Sequence, residues 1–282
     1  MSWLALTLAS VVLASVASIL QRVLMKGNKS NPYSYAIIFH FLLAFLVLVF
    51  ALVRGIDLSP LNGNIPMLLL ASALWGACQV LLFKALQLIE ASEMTVISDT
   101  RVIFTIIASV IFLGEVFTGW NMLGAILILA ATLLVVDLRN GFRFNKGVWY
   151  TLAMALFAGL AIVADSANVQ QYDVLAYSVF SNFLSGLFIL AFYPKSLRQW
   201  THFVQPNFLV KMLPLAVFSA TQGVLYLLAL TYGGNTAQVG TIRQASVIVT
   251  VLLAVIFLNE RGKLWQKFVA AILVTVGVLL LG

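Results

Sequence analysis

Charged residues are scarce in this chain. They make up 9% of its 282 residues, whereas a soluble domain carries about 25%. A protein surface with so few charges is expected to face mostly lipid or other helices, in agreement with a mean hydropathy of +1.07. The net charge of +7 would indicate nucleic acid binding in a soluble protein. Here the basic residues lie in short loops between apolar segments, which indicates membrane topology and no nucleic acid partner.

Cysteine and histidine are also rare. Cys78 is the single cysteine, so no internal disulfide can form, and the two histidines lie far apart in the sequence. No metal-ligand cluster and no Walker-type phosphate loop can be recognised. We therefore expect no enzymatic activity, no metal and no cofactor. Trp3–Val23 lacks the basic leader and cleavage site of a secretory signal, so we interpret it as a retained first helix.

Apolar runs of bilayer-spanning length recur along the whole chain, and short polar breaks separate them. They predict ten transmembrane helices: Trp3–Val23, Tyr33–Val53, Pro66–Leu88, Met94–Leu113, Gly119–Val136, Gly147–Asn168, Val174–Tyr193, Phe208–Tyr232, Thr236–Leu258 and Lys263–Leu281. The predicted fold class is an all-α polytopic membrane protein, with the lipid bilayer as its surroundings. Pro32 and Pro66 fit helix starts, where a missing N–H costs little.

One apolar sequence motif that ends in a glutamate occurs twice. Val110–Glu115 returns as Val255–Glu260, an offset of 145 residues. We therefore divide the chain into repeats at 1–140 and 141–282, with five predicted helices in each. Because five is odd, the second repeat enters the membrane from the opposite side, which predicts two inverted five-helix repeats.

The charges of the loops predict an orientation. Basic residues cluster after the first, fifth, seventh and ninth predicted helices, in the loops that carry Lys26, Arg143, Arg198 and Lys263. The other side offers only Arg54. The positive-inside rule then makes the four basic loops cytoplasmic, in a multi-pass protein of the plasma (inner) membrane with both termini outside.

Both glutamates end an apolar helix, at Leu113–Glu115 and Leu258–Glu260, and small residues follow at Gly124-Ala125 and Ala270-Ala271. This pattern resembles the drug/metabolite transporter superfamily in its EamA-like branch. The resemblance implies inverted five-helix repeats and transport of a small solute by alternating access through a central cavity. It also implies termini in the cytoplasm, opposite to the loop-charge prediction. The family often has proline where this chain has Arg101 and Ser246.

Two arginines lie deep inside predicted helices. Arg101 and Arg243 are each about eight residues, or ~12 Å, from the nearer end, and a charge at the bilayer centre costs at least ~2.5–3.5 kcal/mol. At the 145-residue offset Arg101 corresponds to Ser246, and Arg243 corresponds to Ser98. If both helices face the repeat interface, the guanidiniums would form an anion site. Alternatively, each arginine pairs with an internal acid and only holds helices together.

Three further groups are candidates for proton coupling. Asp99 and Asp165 could titrate inside the membrane, and Asp99 could also serve as the counter-charge of an arginine. An interfacial, solvated acid is the alternative for Asp165. His40 could relay a proton or simply bond to a neighbouring helix.

Amides and aromatic rings complete the candidate substrate site. Gln79, Gln222 and Gln244 could bond to a substrate or bridge helices, and Trp75 and Tyr226 could form flat walls or only pack. The terminal glutamates Glu115 and Glu260 are expected to cap helices or make gating contacts. Small residues at six positions are predicted to allow close helix approach: Ser15, Ser18, Gly76, Gly159, Gly186 and Gly223.

Together these features predict a secondary transporter that exports an amino acid-like or other anionic or zwitterionic metabolite. Uptake of a sugar, a cation or a drug on the same scaffold stays open as an alternative. A non-transporting scaffold or a lipid-flipping accessory is a third possibility. A homodimer is compatible with the sequence.

Overall fold

The computed structural model describes residues 3–25, 31–55, 64–113, 119–135, 145–168, 171–199, 206–231, 242–243, 246–259, 262 and 264–281. Within these residues the regular structure is helical. The helices are α1 (Trp3–Met25), α2 (Pro32–Arg54), α3 (Ile65–Leu88), α4 (Ala91–Ser98), α5 (Arg101–Leu113), α6 (Gly119–Val135), α7 (Lys146–Asn168), α8 (Val174–Phe192), α9 (Pro206–Thr231), α10 (Ser246–Phe257) and α11 (Leu264–Leu281), with a short 3-10 helix at Pro194–Gln199.

These elements form ten spans, because α4 and α5 follow each other within the fourth. The all-helical membrane fold predicted from the sequence is thereby confirmed. Among the described helices, α1, α2, α3, α7 and α8 are long and apolar enough to cross a membrane by themselves.

Side-chain caps begin four of the helices. Asn31 and Asn64 accept bonds from the backbone N–H of Tyr33 (3.0 Å) and Met67 (3.1 Å) at the starts of α2 and α3. Pro32 and Pro66 occupy the first turns of those helices, as predicted. Asn145 caps α7 in the same way, and Asp173 caps α8. These caps satisfy backbone N–H groups that have no partner inside their own helix.

The fourth span is interrupted, which corrects the prediction of one continuous helix over Met94–Leu113. At Asp99 and Thr100 the backbone bonds skip three residues instead of four: Thr100 N donates to Ile97 O at 3.1 Å. The Thr100 hydroxyl also donates to Ile97 O, at 2.8 Å, so a local hydroxyl replaces the missing helical partner. In the second repeat, α10 begins at Ser246, which corresponds to the first residue of α5, Arg101, at the 145-residue offset.

Most large helix–helix contacts have an equivalent contact between the corresponding helices of the other repeat. α3 packs on α7, and the equivalent helices α9 and α1 pack on each other. The pairs α5–α7 and α3–α8 likewise have their counterparts in α10–α1 and α9–α2. The remaining large interfaces, α6–α11 and α2–α8, join a helix to its own counterpart. Such a pattern is expected of two five-helix repeats related by a pseudo-two-fold axis.

The helix ends form two faces. A Cβ on Gly147 would meet Ile89 Cγ2 at 2.5 Å, so the start of α7 touches the end of α3. Lys267 near the start of α11 forms an ion pair with Glu90 at the same end. We call this the basic face; it carries the ends of α1, α3 and α8 and the starts of α2, α7, α9 and α11. The opposite face carries the start of α1, and we call it the terminal face. There the backbone N–H of Asn64, just before α3, donates to Oε1 of Gln171, just before α8, at 3.0 Å.

Candidate substrate cavity

A polar cavity of about 370 Å³ lies between the repeats. Its walls come from α1, α2 and α3 of the first repeat and from their counterparts α7, α8 and α9 of the second. The lining residues are Ala14, Ala17, Ser18, Gln21, Phe39, His40, Leu43, Trp75, Gln79, Asp165, Tyr177, Ser178, Ser181, Asn182, Ser185, Ser219 and Gln222. The size is that of a small-molecule site.

Asp165 supplies the acid of this cavity. Its Oδ2 accepts a hydrogen bond of 2.8 Å from Trp75 Nε1, and its Oδ1 accepts one from the hydroxyl of Tyr177. The bond from Trp75 crosses from the first repeat to the second. The rings of both donors lie beside the carboxylate and give it aromatic surroundings.

His40 and a polar strip of α8 form a second part of the wall. Asn182 Nδ2 donates to Ser178 O at 2.8 Å, which orients the amide so that its Oδ1 faces His40 Nδ1 at 3.1 Å. Since Oδ1 only accepts, His40 donates from Nδ1. Ser185 donates at 2.8 Å to Ser72 O on α3 as well as to Ser181 O. Of these hydrogen bonds, those from His40 and from Ser185 to Ser72 O join the two repeats.

Two glutamines lie in the cavity wall, and one of them, Gln222, connects the cavity to Arg243. Gln222 Oε1 accepts a bond of 2.8 Å from Arg243 Nη2, and the guanidinium carbon of Arg243 lies 4.2 Å from the ring centroid of Tyr226. Arg243 therefore stands behind Gln222, held by a hydrogen bond and a cation–π contact. Nε2 of Gln79 is buried and has no hydrogen-bond partner among the described residues, which leaves a donor in the cavity wall.

Arg101 forms an ion pair with Asp99 across the interruption of the fourth span, with Nη2 3.0 Å from Oδ1. The Asp99 side chain is 1% exposed and that of Arg101 is 38% exposed. Arg101 therefore has the internal acid partner that the alternative expected, and its role in transport stays a prediction.

The structure brings most of the predicted site residues together. His40, Trp75, Gln79, Asp165 and Gln222 line the cavity; Arg243 and Tyr226 lie behind Gln222, whereas Gln244 is outside the described residues. Glu115 and Glu260, and the loop residues Lys26, Arg143 and Lys263, also lie outside them. Sequence reasoning missed the polar strip of α8. Its signal is the helical spacing of Tyr177-Ser178, Ser181-Asn182 and Ser185.

One prediction about small residues needs correction, and the one for Ser18 stays a prediction. Ser18 lines the cavity, and its hydroxyl donates to Ala14 O in the same helix at 3.1 Å. A Cβ on Gly223 would meet nothing within 4 Å, so this glycine does not mediate close helix approach. The expectation is confirmed at Gly76, Gly159 and Gly186, where a Cβ would meet another helix at 3.2 Å or less, and at Ser15, which donates to Ser246 O at 3.1 Å.

The comparisons with known proteins agree with this architecture. The EamA-like transporter family model matches residues 1–137 and again 145–282. The chain therefore belongs to the EamA-like transporter family, a family of multi-pass membrane transporters of small solutes. No curated protein shows a significant match. A solved structure described only as "Crystal structure of protein" is similar in fold, with a TM-score of 0.60 and 16% identity over 97% of this chain and 94% of the other.

Proposed function

We propose that this chain is a secondary transporter of the plasma membrane that moves an amino acid-like metabolite, zwitterionic or anionic, in the direction of export. The observation that carries the proposal is the charge of the central cavity. Asp165 lies in its wall, and Arg243 lies behind the lining residue Gln222. A zwitterion carries both charges that such a site complements.

The carboxylate of the solute would be held at the arginine end. Arg243 from the second repeat and Arg101 from the first would both attract an anion, because opposite charges attract strongly in a low-dielectric medium. Asp99 neutralises part of the charge of Arg101. The open donor of Gln79 and the amide of Gln222 supply hydrogen bonds to the solute.

The ammonium group of the solute would be held at Asp165, between the rings of Trp75 and Tyr177. Without a bound amine, the same carboxylate can take a proton. A proton and the solute would then compete for Asp165, which is a simple route to proton-coupled export. In this scheme His40 and Asp99 are the further proton-accepting groups.

Alternating access is supported by an asymmetry between the two faces. At the basic face one continuous apolar cluster joins both repeats, and within it Tyr35 packs on Phe208 and on Phe83, with ring centroids 4.9 and 6.4 Å apart. At the terminal face the described apolar residues fall into two separate clusters. One joins Leu6 to Ala229, and the other joins Leu68 to Tyr172.

We use the repeat to locate the two proposed gates, one at each face. At the 145-residue offset, the basic-face residues Tyr35, Phe39 and Phe83 correspond to Phe180, Leu184 and Leu228. Phe180 and Leu184 pack in one terminal-face cluster, whereas Leu228 packs in the other. We propose that these clusters join when the cluster at the basic face opens, which exposes the cavity to the two sides of the membrane in turn.

The test is transport in liposomes with a panel of three solutes: an α-amino acid, its deaminated acid and its decarboxylated amine. The proposal expects the amino acid to be moved best, with Arg243→Ala abolishing transport of the acid and Asp165→Asn abolishing transport of the amine. Equal transport of all three by both variants and the unchanged protein would contradict it.

A cationic solute is the second candidate, and the surroundings of Asp165 favour it. An acid beside two aromatic rings is the usual chemistry for organic cations. In that case Asp165→Asn alone would abolish transport, and Arg243→Ala would leave it intact.

A further inference from the structure

A second groove of about 310 Å³ lies on the other side of α3, between α3, α7 and α8 near the basic face. Its lining is almost entirely apolar: Ala73, Gly76, Ala77, Val80, Leu81, Phe157, Phe188, Ile189 and Phe192, with Tyr33 and Lys84 as the polar members. Phe192 is 85% exposed, so the groove meets the apolar surface of the helix bundle. An apolar surface at this position of a membrane-embedded bundle is expected to face lipid chains.

Lys84 is the one cation in the lining of this groove. Its Nζ donates to the hydroxyl of Tyr33 at 2.7 Å and lies 4.4 Å from the centroid of the same ring. The ring of Tyr150 is 5.6 Å away on the α7 side. Among the described residues no carboxylate pairs with Lys84, in contrast to Lys267, which has Glu90.

The depth of Lys84 suits a lipid headgroup. It lies four residues before the end of α3 at Leu88, or ~6 Å along the axis, where a lysine can extend its ammonium group to the interface. An ammonium at that level without an acidic partner attracts the anionic phosphates of lipids. Tyr33, stacked on Tyr193 with centroids 4.2 Å apart, presents a hydroxyl beside the ammonium and is fixed in place.

We propose that this groove binds an anionic phospholipid. The phosphate lies on Lys84 Nζ and the hydroxyl of Tyr33, and one acyl chain lies along Ala73, Gly76 and Ala77 between the phenylalanine rings. α3 separates this site from the central cavity, whose lining on the same helix is Trp75 and Gln79. The lipid is therefore a bound partner of the protein and a different molecule from its solute.

The experiment measures the thermal stability of the full chain in a neutral detergent, titrated with dioleoyl phosphatidylglycerol or dioleoyl phosphatidylcholine. The proposal expects phosphatidylglycerol to raise the melting temperature at lower concentration than phosphatidylcholine. Lys84→Gln should weaken this response about tenfold or more, since a charged hydrogen bond is lost. Lys195→Gln is the matched control, because it removes the same charge from an exposed residue of the basic face outside the groove.

Two further arms separate the lipid from other sources of phosphate. Inorganic phosphate at the same concentration should leave the melting temperature unchanged, and dihexanoyl phosphatidylglycerol should act more weakly than the dioleoyl lipid because its chains fill less of the groove. Ala77→Leu, which narrows the groove and leaves Lys84 in place, should also weaken the response. Equal responses to both dioleoyl lipids, equal losses in Lys84→Gln and Lys195→Gln, or a full response to inorganic phosphate would overturn the proposal.

Discussion

Trp75 Nε1 on α3 donates a hydrogen bond of 2.8 Å to Asp165 Oδ2 on α7, so the acid of the cavity is held by the opposite repeat. Asp165 is thereby fixed in position while half-buried. The bond also means that a movement between α3 and α7 changes the surroundings of the carboxylate. A solute bound at Asp165 would therefore be physically linked to the relative position of the two repeats.

The first prediction concerns Asp165→Asn. The amide keeps an oxygen for the indole of Trp75 but loses the negative charge. Loss of a charged hydrogen bond, ~1.5–3 kcal/mol, corresponds to about tenfold to a hundredfold in affinity. We expect the KM for a zwitterionic amino acid to rise by that factor in liposome uptake, and the KM for the deaminated acid to stay unchanged. An equal rise for both solutes would mean that Asp165 does not contact the amine.

The second prediction concerns Arg243→Lys. Lysine keeps the charge but loses the forked donors and the flat face that Arg243 offers to Gln222 and Tyr226. We expect transport of a carboxylate-bearing solute to fall about tenfold, measured as kcat/KM. The control is Arg54→Lys at the end of α2, outside the cavity lining, which should transport normally. A normal rate in Arg243→Lys would show that charge alone is required there.

The third prediction concerns the ion pair of Glu90 and Lys267, which joins the two repeats at the basic face. The Lys267 side chain is 4% exposed and that of Glu90 is 37% exposed. Glu90→Gln leaves the buried ammonium of Lys267 without its acid, which should lower the free energy of unfolding by ~1–3 kcal/mol. The loss is smaller than for a fully buried pair because Glu90 is partly solvated. If the pair holds the basic face closed, the variant opens that face more often.

The measurement is the labelling of a cysteine at Ser18, which lines the cavity, in a Cys78→Ala background. A membrane-impermeant reagent added at the basic face should react about tenfold faster in Glu90→Gln. Adding Lys267→Met, which keeps the volume and removes the charge, should return the rate toward that of the starting protein. Unchanged labelling in Glu90→Gln would rule out a role for this pair in closing the basic face.

Much of the fold could be predicted from the sequence, because apolar length and capping residues are local properties. Pro32 and Pro66 mark helix starts that the structure reproduces, one and two residues after the capping residues Asn31 and Asn64. The interruption at Asp99 and Thr100 was not predicted. The polar run Ser98–Arg101 lies at this place, but its charged residues were interpreted as candidate site residues inside one continuous helix. The hydroxyl of Thr100 satisfies its carbonyl partner locally. A polar run inside an apolar segment is compatible with a functional site or with a break in the helix, and hydropathy alone does not distinguish the two.

The candidate site was predicted in part, and for a physical reason. A polar side chain inside an apolar helix is costly unless it meets a partner or a cavity, so His40, Gln79 and Asp165 could be singled out one by one. Their partners Asn182 and Tyr177 could not, because the pairing depends on which faces of α2, α7 and α8 meet. Gly223 was misjudged for the same reason: its open surroundings depend on the neighbours of α9. The roles assigned to these residues in transport stay predictions.

The last prediction compares two glycines in the middle of helices. A Cβ on Gly159 of α7 would lie 2.9 Å from the backbone oxygen of Arg101 and 2.8 Å from Cβ of Phe104. Neither atom belongs to a flexible chain end, so Gly159→Ala must push α5 away from α7. We expect the free energy of unfolding to fall by ~1–3 kcal/mol, as for other overpacked cores, seen as a lower melting temperature in detergent.

Gly223→Ala is the matched control, because its Cβ would meet nothing within 4 Å, and alanine is favoured over glycine in a helix by ~0.5–1 kcal/mol. Its melting temperature should be unchanged or higher. Since α5 carries Arg101, Gly159→Ala should also displace that guanidinium and reduce transport. If Gly159→Ala were as stable and as active as Gly223→Ala, then α5 and α7 would not need this close contact.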